Sequence, residues 1–279
     1  MSVKPFPSRC RNANASVSMV EPAPRHIVVT GASAGLGAAL ARTYAAPGVV
    51  LGLIGRDVAR LEASAQQCRQ AGAHVLTAAL DVRNADAMQT WLRHFDTAHP
   101  IDLLIANAGI ASTLVSAADW EDLARTNAVM ETNFFGAMHA VLPVVERMRT
   151  RRRGQIAIVS SLAALHGMAI SPAYCASKSA LKAYGESVRP LLARDGIALS
   201  IVLPGFVKTA MSDKFPGNKP FLWTAEKAAR FVCRGLRVKR REIAFPGLLA
   251  WGISLLRFLP ARLADGILAS MSYLPREER

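Results

Sequence analysis

The chain has 279 residues, 51% of them hydrophobic, and a formal net charge of +14. That is enough chain for one large α/β domain, and too apolar for a chain disordered throughout. The charge favours an acidic partner (nucleic acid, an anionic membrane surface or a phosphate-bearing cofactor) without choosing among them.

The first segment, residues 1–24, holds Pro5, Pro7, Pro22 and Pro24 among scattered Ser, Asn and Arg, with no apolar run long enough for a secretory signal. It is expected to be a flexible N-terminal tail, with Met19 as an alternative beginning; the lack of an acid before Glu21 is a weaker hint of a transit peptide. Residues 25–244 read as one domain in which short β-branched runs alternate with amphipathic stretches. His26–Thr30 is a buried-strand pattern, followed by a helix over Leu36–Ala46 that Pro47 and Gly48 break. A strand over Val49–Ile54 precedes a helix over Asp57–Ala71, and a strand over His74–Ala79 precedes a helix over Ala85–Ala98. Ile101–Ala106 is a fourth strand, a long helical region covers about Trp120–Arg149, and Gln155–Ser160 is a fifth strand. A helix over Pro172–Arg194, a strand over Ile197–Leu203 and a last strand near Glu242–Ala244 complete the series. Such alternation predicts a doubly wound, Rossmann-type, mostly parallel sheet with helices on both faces. Ligands in such sheets bind at the carboxyl ends of the strands, near the switch point of strand order.

The strand ends carry the unusual residues. After the first strand comes Thr30-Gly31-Ala32-Ser33-Ala34-Gly35-Leu36-Gly37. Glycines there permit a tight turn and a close approach of backbone to a pyrophosphate, at a helix N-terminus that offers free N–H groups. After the second strand comes Gly55-Arg56-Asp57. Folds that prefer NAD place an acid at this point, whereas an Arg suits the 2′-phosphate of NADP. Arg56 therefore predicts a preference for NADP(H), with NAD(H) as the alternative, and Asp57 is read as the cap of the next helix. Tyr174 and Lys178 stand at i and i+4 on a predicted helix and share a face. A nearby ammonium is expected to lower the phenol pKa and let Tyr174 exchange a proton with a carbonyl or alcohol oxygen.

These residues resemble the short-chain dehydrogenase/reductase family over roughly Arg25 to Gly247. The family's T-G-x-x-x-G-x-G is met by Thr30, Gly31, Gly35 and Gly37, its acid-plus-apolar pair by Asp81 and Val82, and its N-A-G by Asn107, Ala108 and Gly109. Its helical Asn corresponds to Asn133, its Y-x-x-x-K to Tyr174 and Lys178, and its P-G to Pro204 and Gly205, continued by Val207 and Thr209. Its catalytic Ser lies thirteen residues before the Tyr, which selects Ser161 over Ser160. The resemblance implies an oxidoreductase acting on CH–OH groups, with Asn133, Ser161, Tyr174 and Lys178 as the catalytic set. Cofactor contacts are implied for Gly31, Ser33, Gly35, Leu36, Gly37, Arg56, Asp81, Val82, Asn107, Ala108, Gly109, Tyr174, Lys178, Pro204, Gly205, Val207 and Thr209. Asp81 and Val82 would hold the adenine, Lys178 the nicotinamide ribose, Ser161 the substrate oxygen, and Asn133 a water linking Lys178 to solvent. A homodimer through the helices of Asn133 and Tyr174, or a homotetramer, is implied as well. The rival class is a non-catalytic, cofactor-binding regulator or scaffold, which the full catalytic set disfavours. Nucleic-acid binding rests on charge alone, and no recognition-helix or stacking signature accompanies it.

The four cysteines, Cys10, Cys68, Cys175 and Cys233, contain no C-x-x-C pair, so no zinc site or disulfide framework is expected. Free thiols fit the cytoplasm. Leu162, Leu165, Met168, Ile170, Phe206, Met211, Phe215, Phe221 and Trp223 are expected to line an apolar alcohol or ketone pocket, or to pack on one another. Residues 245–279 form an apolar C-terminal extension, expected to fold over Phe245–Leu274 into one or two helices beside the active-site mouth. Its apolar run falls short of the roughly 20 residues of a membrane span. Arg234, Arg237, Lys239, Arg240 and Arg241 precede it, which suits peripheral contact with the inner face of a membrane; a lid and a dimer interface are the alternatives.

Overall fold

A computed structural model describes residues 23–270 apart from 117, 214, 216–218 and 257. The expected N-terminal tail up to residue 22, with Cys10, and the end of the extension beyond residue 270 lie outside the described residues. The elements in chain order are β1 (His26–Thr30), α1 (Gly35–Tyr44), β2 (Val50–Gly55), α2 (Val58–Gln70), β3 (His74–Ala79), α3 (Ala85–Ala98) and β4 (Leu103–Ala106). They continue with α4 (Leu123–Met130), a π-helical turn (Glu131–Phe135), α5 (Gly136–Arg151), β5 (Gly154–Val159) and α6 (Pro172–Arg194). The last are β6 (Ile197–Pro204), α7 (Ala210–Asp213), α8 (Ala225–Arg237), β7 (Glu242–Phe245), α9 (Gly247–Leu256) and α10 (Ala261–Ser270).

The seven strands form one sheet in the order β3-β2-β1-β4-β5-β6-β7, and every neighbouring pair is parallel. The strands β1, β2, β4 and β5 are buried on both faces, which is why they read as unbroken apolar runs rather than alternating ones. One apolar cluster joins α1, α2 and α8 to one face; the other joins α3, α5 and α6 to the opposite face. Strand order reverses between β1 and β4, and the crevice at their carboxyl ends is the switch point.

The expected fold and most boundaries agree with this architecture, and the differences have local causes. Asp57 caps α2 by accepting the Arg60 N–H at 2.9 Å, as anticipated. Strand β4 starts at Leu103 rather than Ile101, because the Asp102 carboxylate turns back to accept the N–H groups of Arg25 and His26. The long helical region starts at Leu123, and the residues before it form a loop. Leu123–Arg151 is apolar and long enough to cross a membrane, but over half of its apolar stretch is buried in the domain. The basic run Arg237–Arg241 does not flank the terminal helices. It lies at the amino end of β7 and α9 starts beyond the carboxyl end, about 13 Å away at ~3.3 Å per strand residue.

Candidate active site

The β1–α1 turn is held to the end of β4 by a side-chain brace. The Thr30 hydroxyl accepts the N–H groups of Asn107 and Ala108, both at 3.0 Å, and the Asn107 amide donates to the carbonyl of Thr30 at 3.0 Å. Gly31 has φ +67°, and a Cβ there would stand 2.8 Å from the Ala108 Cα. A Cβ on Gly37 would stand 2.2 Å from the Gly31 carbonyl oxygen, so only glycine lets the turn close. A Cβ on Gly55 would stand 2.0 Å from the Ser33 hydroxyl oxygen. An acidic side chain at that strand end would therefore have to displace Ser33.

A cavity of about 660 Å³ runs over these strand ends. Its polar half is lined by Gly31, Ser33, Gly35, Leu36, Gly37, Arg56, Val82, Asn107, Ala108 and Gly109; Tyr174, Lys178, Pro204, Gly205, Val207 and Thr209 continue the lining. This bare-backbone cradle, at the uncapped N-terminus of α1, fits an extended dinucleotide. Asp81 does not line it: its carboxylate holds Arg83 at 2.8 Å, with Arg56 at 3.9 Å. Both guanidinium groups keep that carboxyl below the usual range, the Arg83 hydrogen bond most of all.

At the junction of the two halves stand Ser161, Tyr174 and Lys178. The two serines differ in what engages their hydroxyls. The Ser160 hydroxyl donates to the Lys178 carbonyl at 2.7 Å, whereas the Ser161 hydroxyl accepts the Ala163 N–H at 3.1 Å, donates to the Pro204 carbonyl at 3.4 Å and lines the cavity beside Tyr174. The Lys178 ammonium donates to the Val159 carbonyl at 3.0 Å and lies 5.7 Å from the Tyr174 ring centre. Burial lowers the Lys178 pKa to about 8. Against expectation the phenol is not lowered: burial raises Tyr174 to about 12, the Ser161 hydrogen bond opposing it.

Asn133 sits in the π-helical turn, fully buried. Its Oδ1 accepts the Ile110 N–H at 2.8 Å, and its amide donates to the Ile110 carbonyl at 3.0 Å and the Ser177 hydroxyl at 2.9 Å. Both amide hydrogens are engaged, so the side chain clamps the loop after β4 to α6.

The apolar half contains Leu162, Met168, Phe206, Met211, Phe215 and Phe221, as expected. Leu165, Ile170 and Trp223 do not line it; Ile170 is buried, and Trp223 stacks on Phe245 at 5.0 Å. The roof comes from the terminal helices: Leu248, Leu249, Gly252, Ile253 and Leu256 of α9, and Ile267 and Leu268 of α10. His166, a polar residue that the sequence did not single out, also lines this half. Only its place shortly after Ser161 could have drawn notice.

The family model described as short chain dehydrogenase matches residues 25–219. An uncharacterized oxidoreductase of Myxococcus xanthus (strain DK1622) is 36% identical over 251 residues, 88% of this chain and 97% of that one. Retinol dehydrogenase 8 of Homo sapiens is 33% identical over 213 residues, 71% of this chain and 67% of that one. Among solved structures, a short chain dehydrogenase/reductase from Burkholderia phymatum in complex with NAD superposes with a TM-score of 0.76 at 22% identity, covering 84% of this chain and 93% of that one. With the strand-end motifs assembled around one cavity, these matches place the chain in the short-chain dehydrogenase family of oxidoreductases.

Proposed function

We propose that this protein is an NADP(H)-dependent alcohol dehydrogenase/ketone reductase acting on an apolar, lipid-like substrate. The observation that carries the proposal is the cluster of the Ser161 hydroxyl, the Tyr174 phenol and the Lys178 ammonium where a glycine-lined cradle meets an apolar pocket. The nicotinamide ring, when bound, supplies or takes up the hydride. Tyr174, protonated at neutral pH, delivers the proton to the carbonyl oxygen in reduction. Ser161 donates a hydrogen bond to that oxygen and stabilises its developing charge. Lys178 holds its charge beside the phenol below about pH 8 and would hold the ribose hydroxyls of a bound cofactor. Asn133 acts by positioning the loop after β4 against α6.

NADP(H) preference is supported by Arg56 at the cavity wall and by Ser33, which crowds any acid at position 55. Solved structures similar to this chain hold NAD or NADP, so the preference rests on this chain's own residues. An apolar substrate is supported by the aromatic and aliphatic lining and by the relative named for retinol. Terminal helices that roof the cavity support the lid over the other two roles of the extension. Trp251 of α9, Leu263 of α10 and Phe258 in the link between them are exposed and outside the cavity lining, which keeps membrane contact as a second reading. A homodimer through α5 and α6 is supported by the exposed Leu142 and Leu191. A cytoplasmic location is supported by the free thiols of Cys68, Cys175 and Cys233.

The test is a panel of ketones of graded chain length, read by NADPH and NADH absorbance. Turnover of long-chain ketones with NADPH ahead of NADH is the expected result. Cofactor binding without turnover of any carbonyl compound would favour a regulator or scaffold.

A further inference from the structure

Tyr174 is the third residue of α6, within the first turn, where helix N–H groups have no partner inside the helix. The N-cap residue Ser171 does not cap: its hydroxyl is bound to the carbonyl of Ser112. Pro172 has no N–H to offer. The Ala173 N–H instead donates at 2.7 Å to Oε2 of Glu121, a residue of the loop before α4. A carboxylate therefore stands at the positive end of the catalytic helix, one residue before the phenol. The other oxygen, Oε1, is buried without a hydrogen bond.

The loop that brings Glu121 here is itself braced. The Arg125 guanidinium donates to Asp119 at 2.7 Å and to the Thr113 carbonyl at 3.0 Å, and the Val115 N–H donates to Asp119 at 3.0 Å. Loop and helix entry are joined a third time by the Leu114 N–H, which donates to the Ile170 carbonyl at 2.8 Å. Met168 and Phe215 of the substrate half pack in the same small cluster as Tyr174.

We propose that Glu121 is a positioning residue: it caps α6 from outside the helix and fixes the Tyr174 phenol against Ser161. The proposal rests on Tyr174 being the proton donor. Losing the cap frays the turn that carries the phenol, while the glycine-lined cradle is untouched. A displacement of about 1 Å at a reacting group is enough for a hundredfold loss of rate.

The experiment compares Glu121→Ala, Glu121→Asp, Glu121→Gln and Tyr174→Phe for kcat, KM and NADPH dissociation constant. Glu121→Ala, and Glu121→Asp whose carboxylate is one methylene too short, are expected to lose roughly tenfold or more in kcat with the dissociation constant unchanged. Glu121→Gln keeps an oxygen for the Ala173 N–H and is expected to stay within about fivefold of the natural enzyme, the difference between a charged and a neutral acceptor. If Glu121→Ala does not fold, the Asp and Gln pair carries the test. Natural kcat in Glu121→Asp, or a loss of cofactor affinity equal to the loss of kcat, overturns the proposal. Natural rates in Tyr174→Phe would instead remove the proton donor on which it rests.

Discussion

The two halves of the cavity are built differently. The cofactor half is made of strand ends and the turns after them, each tied to the buried sheet: Thr30 to Asn107 and Ala108, Asn133 to Ile110, Lys178 to Val159. The apolar half is made of the segment after β5, the loop after β6 and two terminal helices, where Trp251 is 65% exposed and Phe258, in the link between the helices, 85%. On the proposed function, chemistry sits on the part tied to the sheet and substrate choice on the part fastened at its edges.

That contrast can be tested from its strong end. Gly37→Ala forces a Cβ to 2.2 Å from the Gly31 carbonyl. It is expected to cost about 3 kcal/mol of stability, the upper range for overpacking, and to abolish NADPH retention. Thermal melts with and without NADPH measure both, and an unchanged cofactor-induced shift would show that the turn does not need glycine there. Next, Arg56→Ala should weaken NADP(H) by about 1.5–3 kcal/mol while sparing NAD(H), the range for a hydrogen bond to a charged group. Isothermal titration with both cofactors decides it; equal losses for both would remove Arg56 from the 2′-phosphate. Smaller still is the effect of deleting residues 247–279. Cofactor binding and short ketones should be spared and long-chain ketones impaired, and equal activity on all chain lengths would end the role of the tail. Flotation with anionic liposomes separates a membrane dip from a lid, since only the dip gives tail-dependent, salt-sensitive flotation. Least in size is the pH effect. With Lys178 lowered to about 8, it discharges as pH rises past that value, so kcat/KM for reduction should fall on the alkaline side. A profile flat to about pH 10, the ordinary lysine range, would mean that the charge is not needed.

Most of the cofactor half was legible in the sequence, because local backbone demands are written in residue type. Glycines at Gly31 and Gly37, Arg56 after a strand and the Tyr174–Lys178 spacing each have one physical reason. What escaped depends on distant contacts. Leu165 and Trp223 are as apolar as the true lining residues and differ only in which neighbours they meet. Helix α8 was passed over although Thr224 caps it at the Lys227 N–H. The lowered phenol pKa assumed an exposed pair; burial, which spacing does not reveal, reverses the sign. Glu121 carries no motif at all, since its importance lies in a hydrogen bond across 52 residues.

The central claim, that Tyr174 is the proton donor of an NADPH-dependent reductase, is tested most directly by Tyr174→Phe. The substitution removes one hydroxyl and leaves the ring packed edge-on against Phe215 at 5.8 Å. NADPH affinity and melting temperature should stay near those of the natural protein, while ketone reduction falls by about 10²–10⁴-fold, the usual worth of a general acid. Reduction at the natural rate by a folded, cofactor-loaded Tyr174→Phe enzyme would contradict the account.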